Sequence, residues 1–338
     1  MKRVLVLFLL LASTALAQSG DLGVMLGNIG GSPQKRIEIA KQLGASWYRP
    51  EAVLLGLSQP RCDDCEPARA AGLKLVLVVR NSSEEKKPSA AIADVAAFQQ
   101  QLRTVLEKYK PAIVVVEDEP EDAKSFAGTP EQYAAELKAA CDAARTMDIK
   151  CTNGGLSSID MAGVVLAELW KTDSLQAGDF GIVTEVVRAK GSGTSFSVLG
   201  RSKNTHDNSR EAIQKATAEY IEKHRAEIER ASSFLTASAS AGTDYANFHW
   251  SELKPEEVTT VLDVLGRLNR RPPMSDEMGQ TEERAFETAE KIRILRGAHV
   301  NPIIWDAVGG KGLVGLVEKN GKPNVNGRAF QAAAQKAQ

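Results

Sequence analysis

The chain has 338 residues, 43% of them hydrophobic and 25% charged, which are globular proportions and exclude a disordered or collagen-like protein. Its 42 Lys and Arg against 43 Asp and Glu leave a net charge of -1, an even balance that argues against nucleic acid or an anionic membrane as the partner. The N-terminus reads as a leader. Lys2 and Arg3 precede a short apolar stretch from Val4 to Ala12, and Ala15-Leu16-Ala17 supplies a small-x-small cleavage site. The sequence therefore predicts a signal peptide over residues 1–17, a single domain over 18–338, and a secreted or periplasmic destination. No later run is long and apolar enough to span a bilayer. Export makes disulfides available to Cys62, Cys65, Cys141 and Cys151, which allow three pairings. The sequence-near pairing is Cys62–Cys65 with Cys141–Cys151. In Cys62-Asp63-Asp64-Cys65 a structural staple is favoured over a redox or metal site. No second CxxC and no nearby His completes a zinc site, and two aspartates disfavour a thiolate.

Short β-branched runs then alternate with longer helical patterns. Strands are predicted at Leu22 to Asn28, Ala45 to Pro50, Leu73 to Val79, Ala112 to Val116, Ile149 to Gly155, Tyr245 to Trp250, Pro273 to Glu277 and Pro302 to Asp306. The third is almost wholly apolar, as a strand buried on both faces should be. Helices are predicted over Ser89 to Lys108, from Thr129 to about Met147, over Pro255 to Asn269 and over Thr281 to Gly297. Thr129-Pro130-Glu131-Gln132 is a capping box with Pro at the first helical position. Eight strand–helix alternations imply a parallel sheet, and closed into a ring it is a (β/α)8 TIM barrel. Some ninety residues between the fifth and sixth strands break the period. They hold a Gly/Ser stretch around Gly191 to Thr194 and a long helix from about Ser209 to Ala231, and they read as a helical insertion on the barrel. An open doubly wound sheet is the competitor, but no GxGxxG follows the first strand.

In such a barrel, chemistry sits at the C-terminal ends of the strands. Polar and aromatic residues gather there: Arg49 after the second strand, Glu117-Asp118-Glu119 after the fourth, Asn153 on the fifth, His249 and Trp250 on the sixth, Asp276-Glu277 on the seventh and Trp305 on the eighth. Strands four and seven face each other across the mouth, so Glu119 and Glu277 can converge. A carboxyl pair separated by about 5–5.5 Å suits a retaining glycosidase, one group protonating the leaving oxygen and the other attacking the anomeric carbon. Singly, either glutamate reads as an ordinary surface carboxylate; placed on these two strands they read as a pair. Strand alternation points Glu117 and Asp276 away from them. No His/Cys/Asp cluster has metal-ligand spacing, Gly-x-Ser-x-Gly and Ser-x-x-Lys are absent, and neither metal nor organic cofactor is expected.

The chain resembles clan A of the retaining (β/α)8 glycoside hydrolases, the cellulase, β-xylosidase and mannanase group. The likeness runs through Tyr109-Lys110-Pro111, Val114 to Pro120, the helix from Thr129, Asn153-Gly154-Gly155, Asp244 to Trp250, Pro273 to Gly279, Trp305, and the closing Gly315 to Pro323. It implies that Glu119 is the acid/base and Glu277 the nucleophile. It also implies that Arg49 bonds the nucleophile, that Asp118, Asn153, His249 and Trp250 help bind substrate, and that Trp305 floors the sugar subsite. One departure stands out: the clan places Asn before the acid/base glutamate, where this chain has Asp118. A carboxylate accepts from a sugar 2-hydroxyl but cannot donate as an amide does. The expected partner is an oligo- or polysaccharide with β linkages. Asp118 and the low aromatic content motivate the alternative, a catalytically inactive carbohydrate-binding or scaffold barrel.

Overall fold

The computed structural model describes residues 20–27, 29, 31–183, 210–251, 254–310 and 312–336. The predicted signal peptide over residues 1–17, and the Gly/Ser stretch from Gly191 to Thr194, lie outside the described residues. Eight strands build the barrel: β1 (Leu22–Met25), β2 (Trp47–Arg49), β3 (Lys74–Arg80), β4 (Ile113–Val116), β5 (Lys150–Asn153), β6 (Ala246–Trp250), β7 (Pro273–Met278) and β8 (Ile303–Asp306). All neighbours pair in parallel, in the order β5-β4-β3-β2-β1-β8-β7-β6. Each predicted strand is present with its ends within three residues of the predicted bounds; most are trimmed, while β3 and β7 each run one residue further.

The ring closes between β5 and β6 by side chains instead of a regular ladder. The Asn153 amide donates to the Asn247 carbonyl at 3.2 Å and accepts from the Asn247 N–H at 3.1 Å. Asn247 returns a bond to the Asn153 carbonyl at 3.0 Å, and the Asp244 N–H bonds the Cys151 carbonyl. Backbone groups that a ladder would have satisfied are thereby paired.

Two apolar layers follow from strand alternation. Trp47, Val76, Val78, Ile113, Val115, Met274 and Ile304 fill the barrel interior. The opposite faces carry Leu75, Leu77, Val79, Val114, Val116, Phe248, Trp250 and Trp305 into the layer beneath the helices. The barrel is therefore packed through its middle, and the polar residues at the strand ends stand on a solid floor.

Helices start where their caps lie. The Thr129 hydroxyl accepts from the Gln132 N–H, and the Gln132 side chain accepts from the Thr129 N–H, ahead of helix Pro130–Arg145. Asp94 caps Val95–Tyr109, so that helix begins six residues later than the apolar periodicity predicts. The last long barrel helix spans Ala285–Gly297 and not Thr281 onward, because residues 279–284 form the loop that leaves β7. Between β5 and β6 lie helices Ser158–Thr172, Ser174–Val183, Arg210–Lys223 and Arg225–Ser240. The single helix predicted from Ser209 to Ala231 is thus two, broken at His224 (φ -105°, ψ 18°). Disulfides join Cys62 to Cys65 and Cys141 to Cys151, the sequence-near pairing. The second ties helix Pro130–Arg145 to β5. Among the described residues no helix is long and apolar enough to cross a membrane.

Candidate active site

The residues at the mouth are organised around one buried carboxylate, Asp276. Its Oδ2 accepts from Arg49 Nε at 3.0 Å; its Oδ1 accepts from His249 Nε2 at 3.0 Å and Asn247 Nδ2 at 2.5 Å. Strand alternation places Asp276 on the far side from its neighbours, and the structure corrects this. Along β7, three steps from Met274 to Glu277 match two steps on β6, and three from Ser275 to Met278 match two on β8. The extra residue is a β-bulge, and it turns Asp276 and Glu277 both toward the barrel axis. Burial raises the Asp276 pKa, but Arg49 and His249 outweigh it and hold the carboxyl well below the ordinary range.

Arg49 and His249 link Asp276 to the mouth. Arg49 is buried, and its guanidinium also reaches Asp118 at 3.0 Å and Glu277 at 3.9 Å. His249 is 1% exposed, and its other nitrogen, Nδ1, lies 3.1 Å from Glu119 Oε1. Both ring nitrogens thus face carboxyl oxygens, an arrangement that favours a doubly protonated ring while both carboxyls are ionised. Burial pulls the imidazolium pKa down, yet the bonds to Asp276 and Glu119 raise it well above the ordinary histidine value. Asp118, with 37% of its side chain exposed, Glu119, with 34%, and Glu277, with 24%, form the open surface of this network. Glu119, His249, Asp276, Arg49 and Glu277 therefore make one chain of contacts from β4 to β7.

Charge counting explains the electrostatics. Two cations, Arg49 and His249, face four carboxyls. Burial first, and then the charges of Asp118 and Glu119 working against His249 and Arg49, push Glu277 up to about 7. Burial raises Asp118 as well, against the pull of Arg49. Glu277 therefore keeps its proton to a higher pH than an ordinary glutamate.

Two glycines after β5 make room for the arrangement. A Cβ on Gly155, which has φ +73°, would lie 2.5 Å from His249 Nε2, and one on Gly154 would lie 2.6 Å from the Glu117 carbonyl oxygen. Only glycine lets the β5 loop sit this close to both.

The structure brings together Arg49, Asp118, Glu119, His249 and Glu277, and it places three other predicted residues elsewhere. Trp250 and Trp305 are fully buried in the layer outside the sheet, Trp305 edge-on to Phe330 at 6.3 Å. Neither lines the mouth. Asn153 spends both ends of its amide on closing the β5–β6 seam. Sequence reasoning missed Asn247 and Asp276. The alternation of Asn247-Phe248-His249-Trp250 carried a signal for the first, since it puts Asn247 with His249 and turns Trp250 outward.

One oxygen each of Asp118 and Asp276 and one nitrogen of His249 lie within 4.8 Å of one another, a spacing that could hold a metal ion. The Arg49 guanidinium bridges both aspartates. A divalent ion would have to displace that guanidinium, so the donor set fits an internal ion-pair network better than a metal.

No protein-family profile matches the sequence, and neither does any curated protein sequence. Solved structures match along nearly the whole chain. A GH128 (subgroup I) endo-β-1,3-glucanase from Amycolatopsis mediterranei, in complex with laminaritriose, aligns with a TM-score of 0.51 and 13% identity over 93% of this chain and 99% of its own. A GH128 (subgroup II) endo-β-1,3-glucanase from Pseudomonas viridiflava aligns at 0.51 and 15% identity, over 92% and 97%. A glucosidase from Croceicoccus marinus gives 0.60 and 12% identity over 95% of this chain and 68% of its own. At these identities the likeness is one of fold: the chain is a (β/α)8 TIM barrel.

Proposed function

We propose that the protein is an exported glycoside hydrolase that cleaves a β-linked glucan with retention. The observation that carries this reading is the placement of two open carboxyls, Glu119 after β4 and Glu277 on β7, on one buried network across the barrel mouth, with Asp118 open beside them. Barrels of the same fold with β-1,3-glucanase activity make laminarin oligosaccharides the first substrates to try. The two disulfides fit an oxidising compartment.

In this mechanism the Glu277 carboxylate attacks the anomeric carbon and forms a glycosyl ester. The glycosidic oxygen departs with the proton of Glu119. Glu119, now a base, takes a proton from water; the oxygen of that water attacks the same carbon and Glu277 is released. Glu119 must therefore be protonated, and Glu277 ionised, when Glu277 attacks. His249 donates to Glu119 and stabilises its ionised form for the second step. Arg49 supplies positive charge beside Glu277.

Hydrolysis of laminari-oligosaccharides by the wild type, Glu277→Ala and Glu119→Ala tests the reading. The wild type should release reducing ends and Glu277→Ala none, with its fold intact. Glu119→Ala should keep turnover only of substrates whose leaving group needs no proton, and azide should rescue it. Activity retained by Glu277→Ala sinks the assignment. One observation favours a binding-only barrel as the second reading: Arg49 sits 3.0 Å from both aspartates but 3.9 Å from Glu277. Binding of the oligosaccharide without any cleavage would establish that alternative.

A further inference from the structure

A second acidic pair lies outside the mouth, on the helix side of β4. Glu117 and Glu136 are both 0% exposed. Glu117 follows β4, and Glu136 stands on the buried face of helix Pro130–Arg145; Glu117 Oε2 and both Glu136 carboxyl oxygens are buried with no hydrogen-bond donor among the described residues. The groups around them are few. The Asn81 N–H donates to Glu117 Oε1 at 2.6 Å, and the Ser89 hydroxyl and Ile92 backbone amide lie close by. Arg80 Nε is 3.8 Å from Glu117 Oε2, while its terminal nitrogens are committed to the carbonyls of Glu85, Lys87 and Ser125. The Tyr133 phenol neighbours both carboxyls, and Glu121 lies beyond it. One cation therefore faces two buried carboxyls. Two ionised carboxylates are both acceptors, so a bond between them requires a proton.

The turn next to this pair needs holding. Glu117 (φ +62°) and Glu119 (φ +48°) both sit in the left-handed region, which is unfavourable for residues with a Cβ. Tyr133, three residues before Glu136 and so on the same helix face, donates to the Val116 carbonyl at 2.9 Å and accepts from the Gly154 N–H at 2.9 Å. The helix thus grips the end of β4 through the Tyr133 hydroxyl.

We propose that Glu117 and Glu136 share one proton at neutral pH, and that this acid–carboxylate bond is the latch by which helix Pro130–Arg145 positions the turn carrying Asp118 and Glu119. Only the catalytic meaning of the latch rests on the glycosidase reading; the shared proton does not. Burial, and then the charge of Glu117, push Glu136 up to about 10, which agrees with the geometry. The sign of the linkage is specific. Folding must place a proton on Glu136 that the unfolded chain gives up above its ordinary value. The wild type therefore loses stability from this group as pH rises from the ordinary glutamate range toward about 10.

Glu136→Gln supplies an N–H in place of the shared proton and needs no protonation. Infrared difference spectra of wild type and Glu136→Gln, in H2O and D2O, should show a protonated-carboxyl stretch in the wild type that the variant lacks. The melting temperature of Glu136→Gln relative to wild type should climb steadily from about pH 5 to about pH 9. Glu136→Ala, with no partner for Glu117, should lower kcat on the order of tenfold or more at nearly unchanged KM, and Glu136→Gln should restore it. A variant spectrum that loses only an ionised carboxylate, together with a pH-independent melting difference, would overturn the proposal. The infrared and thermal readings need no turnover, so they stand or fall apart from the glycosidase assignment.

Discussion

Replacing Asp276 by Asn isolates the keystone of the mouth, because it keeps the shape and removes the charge. Asp276 accepts three bonds, from Arg49, His249 and Asn247, with no solvent exposure. An amide offers one acceptor oxygen and turns an NH2 group against a donor. The Arg49 and His249 cations then face a neutral group in a buried place. Breaking a buried, hydrogen-bonded charge network this way costs about 3–5 kcal/mol. In a domain of this size, near the lower end of about 2–4 °C per kcal/mol, the melting temperature should fall by roughly 6–10 °C at neutral pH. The pH dependence follows from the depressed Asp276 pKa. Its contribution is present above the ordinary aspartate value and is lost as pH falls through the folded value. The difference between wild type and Asp276→Asn should therefore be full at about pH 7 and shrink below about pH 4. Differential scanning calorimetry across that range is the assay, and an NMR titration should show His249 moving back toward ordinary histidine behaviour. A variant that melts within about 2 °C of wild type at neutral pH, with a gap that does not change on acidification, would refute the reasoning.

The nucleophile assignment requires ionised Glu277, which is pushed up to about 7, so kcat/KM should fall on the acidic side of about pH 7. Asp118→Asn removes a charge that raises Glu277 and frees Arg49 from a competitor. Its acidic limb should therefore move to lower pH, and a limb that stays in place contradicts the coupling. Trp305→Ala should cost about 3–5 kcal/mol of stability while the folded fraction keeps its specific activity, because the ring packs on Phe330 outside the barrel; a selective rise in KM would restore it to the subsite. Removing the Cys141–Cys151 bridge, which closes a ten-residue separation, should lower stability by about 2–3 kcal/mol in denaturant titrations without altering turnover.

The architecture was legible because its signals are local. Lys74–Arg80 and Ile113–Val116 are apolar runs bounded by polar ends, and the Thr129 capping box marks a helix start to the residue. Which face each residue takes was harder to read. In Ile303–Asp306 three consecutive apolar residues hide the parity that sends Ile304 inward and Trp305 outward. On β7 the bulge resets the parity between Met274 and Glu277, and no periodicity announces an inserted residue. Asn153 was visible as a polar strand end. Its seam-closing role depends on Asn247, ninety-four positions away. Strand number points to Glu119 and Glu277 as candidates; only contacts point to Asp276, which bonds Arg49, His249 and Asn247.

The central claim is that Glu277 becomes covalently attached to sugar. The most direct measurement is intact-mass spectrometry with peptide mapping after incubation with an activated 2-deoxy-2-fluoro-β-glucoside. One adduct per molecule is expected, mapped to Glu277 and absent from Glu277→Ala. An adduct on Asp276 or Glu119, or laminari-oligosaccharide hydrolysis that yields the inverted anomer, would contradict it.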